Sequence, residues 1–177
     1  MNITIETKRV LLRPFKLSDA ADVFEFGSNK EVCKYTGDPP LKSIEQAISL
    51  IKNVWFSDYE KYGYGRLAAV YKAENKVIGF AGLKYLPEFD KTDIGYRFLP
   101  KYWGKGLATE VSKEILKYGF TYLKLNEIIG IADPINVASC KVLEKIGLSL
   151  YKKDTYLIDD KLVCNWYKIT IKDYLTN

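Results

Sequence analysis

The chain has 177 residues, 47% hydrophobic and 28% charged, a balance that is typical of a globular domain and excludes long disordered tracts. It contains no histidine, so Ser-His and Cys-His nucleophile pairs are excluded. Its three cysteines are far apart, which argues against a disulfide framework and an ordinary zinc site, and we expect no metal. The length predicts one domain over residues 1–177.

The formal net charge of +5 is spread along the sequence. It favours an anionic ligand such as a phosphorylated cofactor, although a merely soluble surface explains it equally well, and it lacks the clustered footprint of nucleic-acid binding. No apolar run reaches the roughly 20 residues that a membrane-spanning helix needs, and the N-terminal segment lacks the pattern of a signal peptide. We therefore expect a cytoplasmic protein that binds neither nucleic acid nor membranes.

The first half of the chain predicts a strand, two helices and a hairpin. Ser18 is the expected cap of a short first helix, and Ser43 with Gln46 forms a capping box before an amphipathic second helix. The predicted strands are Arg9–Pro14, Leu67–Ala73 and Lys76–Tyr85, with Glu74-Asn75 as the turn between the last two.

In the second half, strands alternate with two longer helices. Asp93–Leu99 alternates like a strand and is followed by Pro100, which ends it. Next come a helix over Gly106–Tyr122, a buried-type strand over Glu127–Ala132, a helix over Asn136–Ile146 that Gly147 ends, and strands near Leu148–Leu157 and Leu162–Ile171 joined at Asp159-Asp160. The apolar stripe of the first helix is Leu107, Val111, Ile115, Tyr118 and Tyr122. This order predicts a mixed sheet covered by helices, an α/β or α+β domain.

The most informative segment connects a strand to a helix and reads YWGKGLATE (residues 102–110). The first turn of a helix has unpaired N–H groups and the positive end of the helix dipole, so it attracts phosphate. Gly104 and Gly106 allow positive φ and a close approach of the backbone to an anion. The side chains beside them are a cation, a small residue and a hydroxyl: Lys105, Ala108 and Thr109.

Other phosphate-binding motifs do not fit this segment. The spacing GxxxxGK followed by Ser or Thr is absent, and Thr109 occupies the third glycine position of a GxGxxG fingerprint. Taken alone, the Gly-Lys-Gly turn is also compatible with an ordinary strand-to-helix connection.

Residues 102–110 resemble the coenzyme A pyrophosphate loop of the GNAT acetyltransferases, specifically the branch of RimJ- and RimL-type enzymes. Three more segments resemble that family in the same order: Glu6–Pro14 followed by Ser18-Asp19, Asp93–Tyr96, and Asp133–Ser139 continuing through Leu143–Leu148. The sequence departs from the family pattern at Trp103, where Gln or Arg is usual, and at Leu148, where Phe is usual.

The resemblance implies a mixed, mostly antiparallel sheet of about seven strands, flanked by four or so helices and splayed between the fourth and fifth strands. It implies transfer of an acetyl group from acetyl-CoA to a primary amine, by direct attack in a ternary complex. The acceptor would be the α-amine of a protein N-terminus or a small molecule, and the enzyme a monomer or homodimer. The alternative is a non-catalytic acyl-CoA-binding or regulatory module of the same fold.

The resemblance also implies a set of site residues. The pantetheine arm would pair with backbone groups of the fourth predicted strand, and one N–H would polarise the thioester carbonyl. The implied cofactor-binding residues are Arg97, Phe98, Leu99, Trp103, Gly104, Lys105, Gly106, Leu107, Ala108, Thr109, Asn136, Ser139 and Leu143.

Two of these, Asn136 and Ser139, are the implied catalytic residues. The amide of Asn136 would bond the pantetheine chain, or cap its own helix. Many family members place a tyrosine at the position of Leu143 to protonate the leaving thiolate; Ser139 would replace it here, unless it only bonds its helix backbone.

The remaining candidates have weaker support in the sequence. Asp93 or Tyr96 could relay a proton or be structural. Glu31, Tyr35 and Asp38 could line the acceptor pocket, whereas Lys141 and Lys145 could meet the nucleotide phosphate or simply face solvent. The acidic residues Glu25, Glu31, Asp38 and Glu45 are too scattered to predict an acidic groove.

Overall fold

The structure, a computed structural model, describes residues 3–156 and 162–176. The strands in these ranges are β1 (Ile5–Glu6), β2 (Val10–Arg13), β3 (Arg66–Tyr71), β4 (Lys76–Leu86), β5 (Lys91–Phe98), β6 (Glu127–Ala132), β7 (Ser149–Thr155) and β8 (Val163–Thr170). The helices are α1 (Ala20–Gly27), α2 (Lys30–Cys33), α3 (Ile44–Leu50), α4 (Ser57–Tyr62), α5 (Leu107–Thr121), α6 (Val137–Lys145) and α7 (Ile171–Thr176).

The strands form one mixed sheet in the order β1-β2-β3-β4-β5-β6-β8-β7. Every neighbouring pair is antiparallel except β5 and β6, which are parallel. The mixed, mostly antiparallel sheet is thus confirmed. The described ranges contain eight strands rather than about seven, because the two-residue β1 precedes the first predicted strand. The predicted turn at Asp159-Asp160 lies outside the described residues.

The sheet opens between β5 and β6, the fourth and fifth predicted strands. β4 and β5 are in register from Gly79–Phe98 to Leu86–Lys91, whereas the described register of β5 with β6 is the single pair Asp93–Ile129. Past that pair the two strands diverge toward their C-terminal ends. The splay creates a gap in the middle of an otherwise continuous sheet.

Helices cover both faces of the sheet and close one main hydrophobic core. α5 packs against β4 and β5, and it buries Leu107, Val111 and Ile115, as its apolar stripe predicted. Tyr122 does not belong to that stripe: it is 76% exposed, because α5 ends at Thr121 and the chain turns away. On the other side, α1 packs against both α3 and β4.

Two predicted caps differ in detail. Ser18 does not cap α1; it lies in a 3-10 turn, and the Asp19 carboxylate accepts the Lys16 amide at 2.8 Å instead. At α3, Ser43 Oγ accepts the Gln46 amide at 3.4 Å, but Gln46 Oε1 accepts the Lys42 amide rather than that of Ser43. The helix then continues to α4 through a π-helical segment over Ile51–Phe56, which periodicity does not reveal.

Candidate active site

The glycine-containing loop has the backbone shape of an anion cradle. After Pro100–Tyr102 the chain adopts φ of 70° at Gly104 and 75° at Gly106, and α5 begins at the next residue. Positive φ is strained for residues with a Cβ, which explains both glycines. No side chain caps α5, so the first-turn N–H groups are left for another partner. A Cβ at Gly104 would meet nothing within 4 Å, so the bend has open space beside it.

An ion-pair cluster braces this loop from the segment before β2. Arg9 Nη1 donates to the Lys105 carbonyl at 2.8 Å, and Arg9 Nε donates to Glu110 Oε2 at 2.7 Å. Glu110 Oε1 accepts from Thr7 Oγ1 at 2.7 Å and from the Arg9 amide at 2.8 Å. Burial raises the pKa of Glu110, but the bonds from Thr7 and Arg9 outweigh it and hold the pKa below its usual value. The loop is therefore fixed before any ligand arrives.

We expect Glu110→Gln to lower the free energy of unfolding by about 1–2 kcal/mol at neutral pH, since charge-assisted hydrogen bonds are lost. The carboxylate has a lowered pKa in the folded chain, so its stabilisation is present above the ordinary value of 4.5 and disappears as the pH falls through the lowered value. Urea unfolding of both proteins should show a difference at neutral pH that vanishes in strongly acidic buffer. A difference that is independent of pH would contradict this assignment.

Strand β5 directs alternate backbone groups into the gap. The Leu99 amide donates to the Ile78 carbonyl at 2.9 Å, so Leu99 is bonded to the β4 side. Along an antiparallel pair, the residues whose backbone groups bond to the partner strand alternate with residues whose groups point away from it. The backbone groups of Arg97 therefore also point toward β4, and the N–H and C=O groups of Tyr96 and Phe98 point toward β6. Of the three backbone positions implied by the family resemblance (Arg97, Phe98 and Leu99), only Phe98 has backbone groups that face the gap. The backbone groups of Tyr96, which is not one of the three, face it as well.

Trp103 reaches back onto this strand. Its indole Nε1 donates to the Phe98 carbonyl at 2.6 Å, and the residue remains 48% exposed. The side chain of Trp103 thus satisfies one of the carbonyls that point into the gap.

On the far side of the gap, α6 presents Asn136 and Ser139. Asn136 Oδ1 accepts the Ser139 amide at 3.1 Å, so Asn136 is a helix cap and its NH₂ group stays available. Ser139 Oγ lies 3.1 Å from Tyr96 Oη, and that phenol also donates to the Ser139 carbonyl at 3.0 Å. Burial raises the pKa of Tyr96, so the phenol keeps its proton at neutral pH.

Leu143 is buried against β6. A Cβ at Gly130 would come within 2.5 Å of Leu143 Cδ2, so the absence of a side chain at Gly130 makes room for the leucine. Position 143 thus carries no hydroxyl, and the phenol beside Ser139 is that of Tyr96 on β5. The sequence named Tyr96 and Ser139 as separate candidates; their pairing required the register of β5 against α6.

A cavity of about 170 Å³ passes through the gap between the strands. Its wall on the α6 side includes Asp133, Asn136, Ser139 and Leu143; its opposite wall includes Tyr35, Thr36, Gly37, Arg66, Phe80, Asp93 and Arg97. Because residues two apart on a strand share a face, Asp93 and Arg97 lie on one face of β5 and Tyr96 lies on the other.

The wall opposite α6 is rich in paired charges. Arg66 and Asp93 form a buried ion pair, and each side chain is 11% exposed. Gly95, on β5, leaves room for the guanidinium because it has no side chain. Burial raises the pKa of Asp93 even though Arg66 opposes this effect. Arg97 Nη2 contacts Asp38 Oδ2 at 2.8 Å. Arginines of this wall therefore engage both the Asp93 carboxylate, which lines the cavity, and that of Asp38, which follows the lining residue Gly37.

The other candidates lie outside the cavity. Glu31 is exposed on α2, and Lys141 and Lys145 are exposed on α6. Glu25 pairs with Lys76 at 2.6 Å on the surface. Lys105 lies on the glycine loop, its Nζ 5.5 Å from the centre of the Tyr102 ring.

Within residues 3–156 and 162–176, no helix is both long and apolar enough to cross a bilayer. The same ranges contain no group of three or more Cys, Asp or Glu side chains placed to hold a metal ion.

These features define a class of protein: a mixed sheet opened in its middle, with an anion cradle at one end of the gap, as acetyltransferases that bind coenzyme A have. The sequence matches the acetyltransferase (GNAT) domain family over residues 9–149. The chain belongs to that family.

Individual relatives agree with this assignment. Uncharacterized N-acetyltransferase YoaA of Bacillus subtilis is 35% identical over 144 residues, which cover 81% of each chain. Uncharacterized N-acetyltransferase p20 of Bacillus licheniformis is 32% identical over 158 residues, 88% of this chain and 86% of that protein. The crystal structure of a GNAT-family acetyltransferase from Bacillus anthracis has 28% identity and a TM-score of 0.80, covering 95% of this chain and 98% of its own. The chain is therefore an N-acetyltransferase that uses acetyl-CoA.

Proposed function

We propose that this enzyme transfers the acetyl group directly to a primary amine in a ternary complex, and that Ser139 and Tyr96 supply the proton that the leaving thiolate takes up. The observation that carries the proposal is the 3.1 Å contact between Ser139 Oγ and Tyr96 Oη at the edge of the opened sheet. The cavity runs past both hydroxyl groups, so an amine and a thioester can meet there.

The residues around the gap fit coenzyme A in three places. The uncapped N–H groups between Gly104 and Thr109 match a pyrophosphate, with Lys105 adding a positive charge. The groups of Phe98 and Tyr96 that face β6 match an extended amide chain such as pantetheine, which would add to the strand edge. The NH₂ group of Asn136 faces the same gap from α6.

Acetyl-CoA supplies an activated acetyl group as a thioester. The amine nitrogen forms a bond to the carbonyl carbon, and the carbon–sulfur bond breaks with its electron pair passing to sulfur. Ser139 gives that sulfur a proton and recovers one from the Tyr96 phenol. The amine releases its proton to water in the cavity, and that water returns a proton to Tyr96. A backbone N–H at Phe98 polarises the carbonyl.

Tyr96 and Ser139 also favour catalysis over the non-catalytic alternative. A binding module would need no proton donor, and the substitution of the usual tyrosine by Leu143 would fit that role. Here two hydroxyl groups from β5 and α6 converge where the thiol would leave. We further propose a RimJ/RimL-like, cytoplasmic enzyme of one domain, acting as a monomer or homodimer, on the basis of the four sequence segments named above.

The direct test measures free thiol released from acetyl-CoA in the presence of different amines: peptides, polyamines, aminoglycosides and amino acids. We expect slow background hydrolysis that at least one class of amine accelerates, with formation of the corresponding acetamide by mass spectrometry. Tight binding of acetyl-CoA with no amine-dependent turnover in any class would instead support a sensor.

Trp103 offers a further test of the cofactor site. Trp55 and Trp166 are buried, so Trp103 is the solvent-accessible indole of the chain, and pantetheine pairing at Phe98 would displace it. We expect coenzyme A to change tryptophan fluorescence, and Trp103→Phe to abolish the change. The variant should bind coenzyme A about two- to tenfold more tightly, because one hydrogen bond no longer has to be broken. Unchanged emission in the wild-type protein on saturation would contradict this placement.

A further inference from the structure

Arg97 has an unusual position for an arginine in an amine-binding cavity. Its side chain is only 19% exposed, and its guanidinium lies 5.2 Å from the centre of the Phe80 ring. Arginine carries five N–H donors in a planar fork. In the described ranges its side chain makes one hydrogen bond, to Asp38 Oδ2 at 2.8 Å. Most of the fork therefore remains available inside a partly desolvated wall.

Asp38 is a weak partner for this fork. It uses a single oxygen, its side chain is 64% exposed, and it directly follows Gly37, a residue that lines the cavity. Because one partner is largely exposed and screened by solvent, we expect this pair to contribute little stability. A carboxylate that entered the cavity could therefore replace Asp38 on Arg97 at little cost, and could engage the guanidinium with both oxygens.

The second arginine of the wall is already neutralised. Arg66 is held by the buried Asp93, and both side chains are fixed between β3 and β5. Across the gap, Asp133 lines the α6 side of the cavity. Its Oδ1 accepts the Ile135 amide at 2.9 Å. The cavity lining thus carries opposite charges on the two splayed strands, a guanidinium on β5 and a carboxylate after β6.

We infer that the acceptor is an amine that also bears a carboxylate, of the amino-acid class, and that Arg97 is the residue that recognises its carboxylate. This inference rests on the function proposed above. The carboxylate binds the fork of Arg97, the carbon skeleton lies over Phe80, and the amine faces the gap on the side of Asp133. Asp38 occupies the place of that carboxylate when no acceptor is bound.

The inference predicts opposite behaviour for two kinds of amine. Amino acids should be acetylated with a kcat/KM at least tenfold above their own carboxamides, and above spermidine, which lacks a carboxylate. Arg97→Gln should lower kcat/KM for amino acids by about 10- to 100-fold and leave that for the carboxamides within about twofold. Arg97→Lys should recover only part of the loss, because an ammonium cannot bind in the two-pronged manner.

Asp38→Asn provides a second variant on the surface, where folding is not at risk. It should lower KM for amino acids by about two- to fivefold, because the competing carboxylate is gone. A higher KM for spermidine together with an unchanged KM for amino acids would overturn the inference, since Asp38 would then bind a cationic acceptor. Lys76→Gln is the matched control for Arg97→Gln. It also removes a positive charge, but from the surface pair with Glu25, away from the cavity, and it should change neither the KM for amino acids nor that for spermidine.

Binding without turnover gives an independent readout. Calorimetric titration of an amino acid and of its carboxamide into the enzyme saturated with coenzyme A should show tighter binding of the amino acid in the wild-type protein and equal binding in Arg97→Gln. Acetylation of carboxamides or polyamines with no preference for the carboxylate would refute this inference and leave the proposed function standing. Failure of every amine to accelerate thiol release would refute the proposed function itself.

Discussion

Ser139→Ala is expected to lower kcat by about 100-fold, while KM for acetyl-CoA changes little. The variant keeps the amide that Asn136 caps, so α6 should begin at the same residue. It loses the hydroxyl that contacts the Tyr96 phenol and that, in the proposed mechanism, protonates the leaving thiolate. Proton donation in the transition state is then left to water, which is the physical reason for the loss of rate. Steady-state kinetics with thiol detection measures both constants.

Tyr96→Phe removes the phenol hydroxyl and keeps that of Ser139, so it tests the contribution of Tyr96 to the rate. If Ser139 donates and Tyr96 restores the proton, the tyrosine variant should also lose kcat, and the double variant should lose little more than either single change, because the two groups act as one unit. Ser112→Ala is the matched control. Ser112 is a fully buried helical serine whose Oγ has no hydrogen-bond partner in the described ranges. Normal turnover of Ser139→Ala would show that the acid has been assigned wrongly.

Gly106→Val should raise KM for acetyl-CoA by about 100-fold or more. The residue has φ of 75° and immediately precedes α5, so a branched side chain there forces the bend out of shape and turns N–H groups away from the phosphates. Loss of even one or two charge-assisted hydrogen bonds accounts for an effect of this size. Equilibrium binding of coenzyme A should weaken in parallel.

Gly63→Val distinguishes this effect from simple backbone strain. Gly63 ends α4 with φ of 76°, and an added Cβ there would meet nothing within 4 Å. Both substitutions should lower the free energy of unfolding by at least about 1 kcal/mol, since both require a left-handed conformation. The variant at Gly63 should nevertheless keep its KM for acetyl-CoA. A comparable rise in KM in both variants would mean that the loop at Gly106 does not hold the cofactor.

Local patterns in the sequence predicted the elements that carry the site. The strand that Pro100 follows, the helix after Gly106, and the helix that Asn136 caps are all set by residues close to one another in the chain. The family resemblance then supplied the antiparallel sheet and its opening. The individual elements depend on short-range signals, namely periodicity, turn residues and helix caps, whereas the pairing of the strands does not.

The contacts that define the chemistry depend on long-range register instead. Tyr96 meets Ser139 across 43 residues, and Arg97 meets Asp38 across 59, so neither pair could be derived from spacing. The sequence also did not show which backbone groups of β5 point toward β4 and which point toward β6. The resemblance named Leu99 as a pantetheine contact, yet its amide is bonded to Ile78, and only the pairing of β4 with β5 reveals that.

The brace formed by Thr7, Arg9 and Glu110 bears on where this domain is taken to start. The match to the family begins at residue 9 and β2 begins at Val10, so a shortened protein designed on either boundary would lack Thr7 together with β1. A cut at Val10 would also free the carbonyl of Lys105. Such a protein would keep strands β2 to β8, while the glycine-containing loop lost bonds that support it. The residues ahead of β2 thus support the candidate cofactor loop, and fusion partners or tags belong upstream of them.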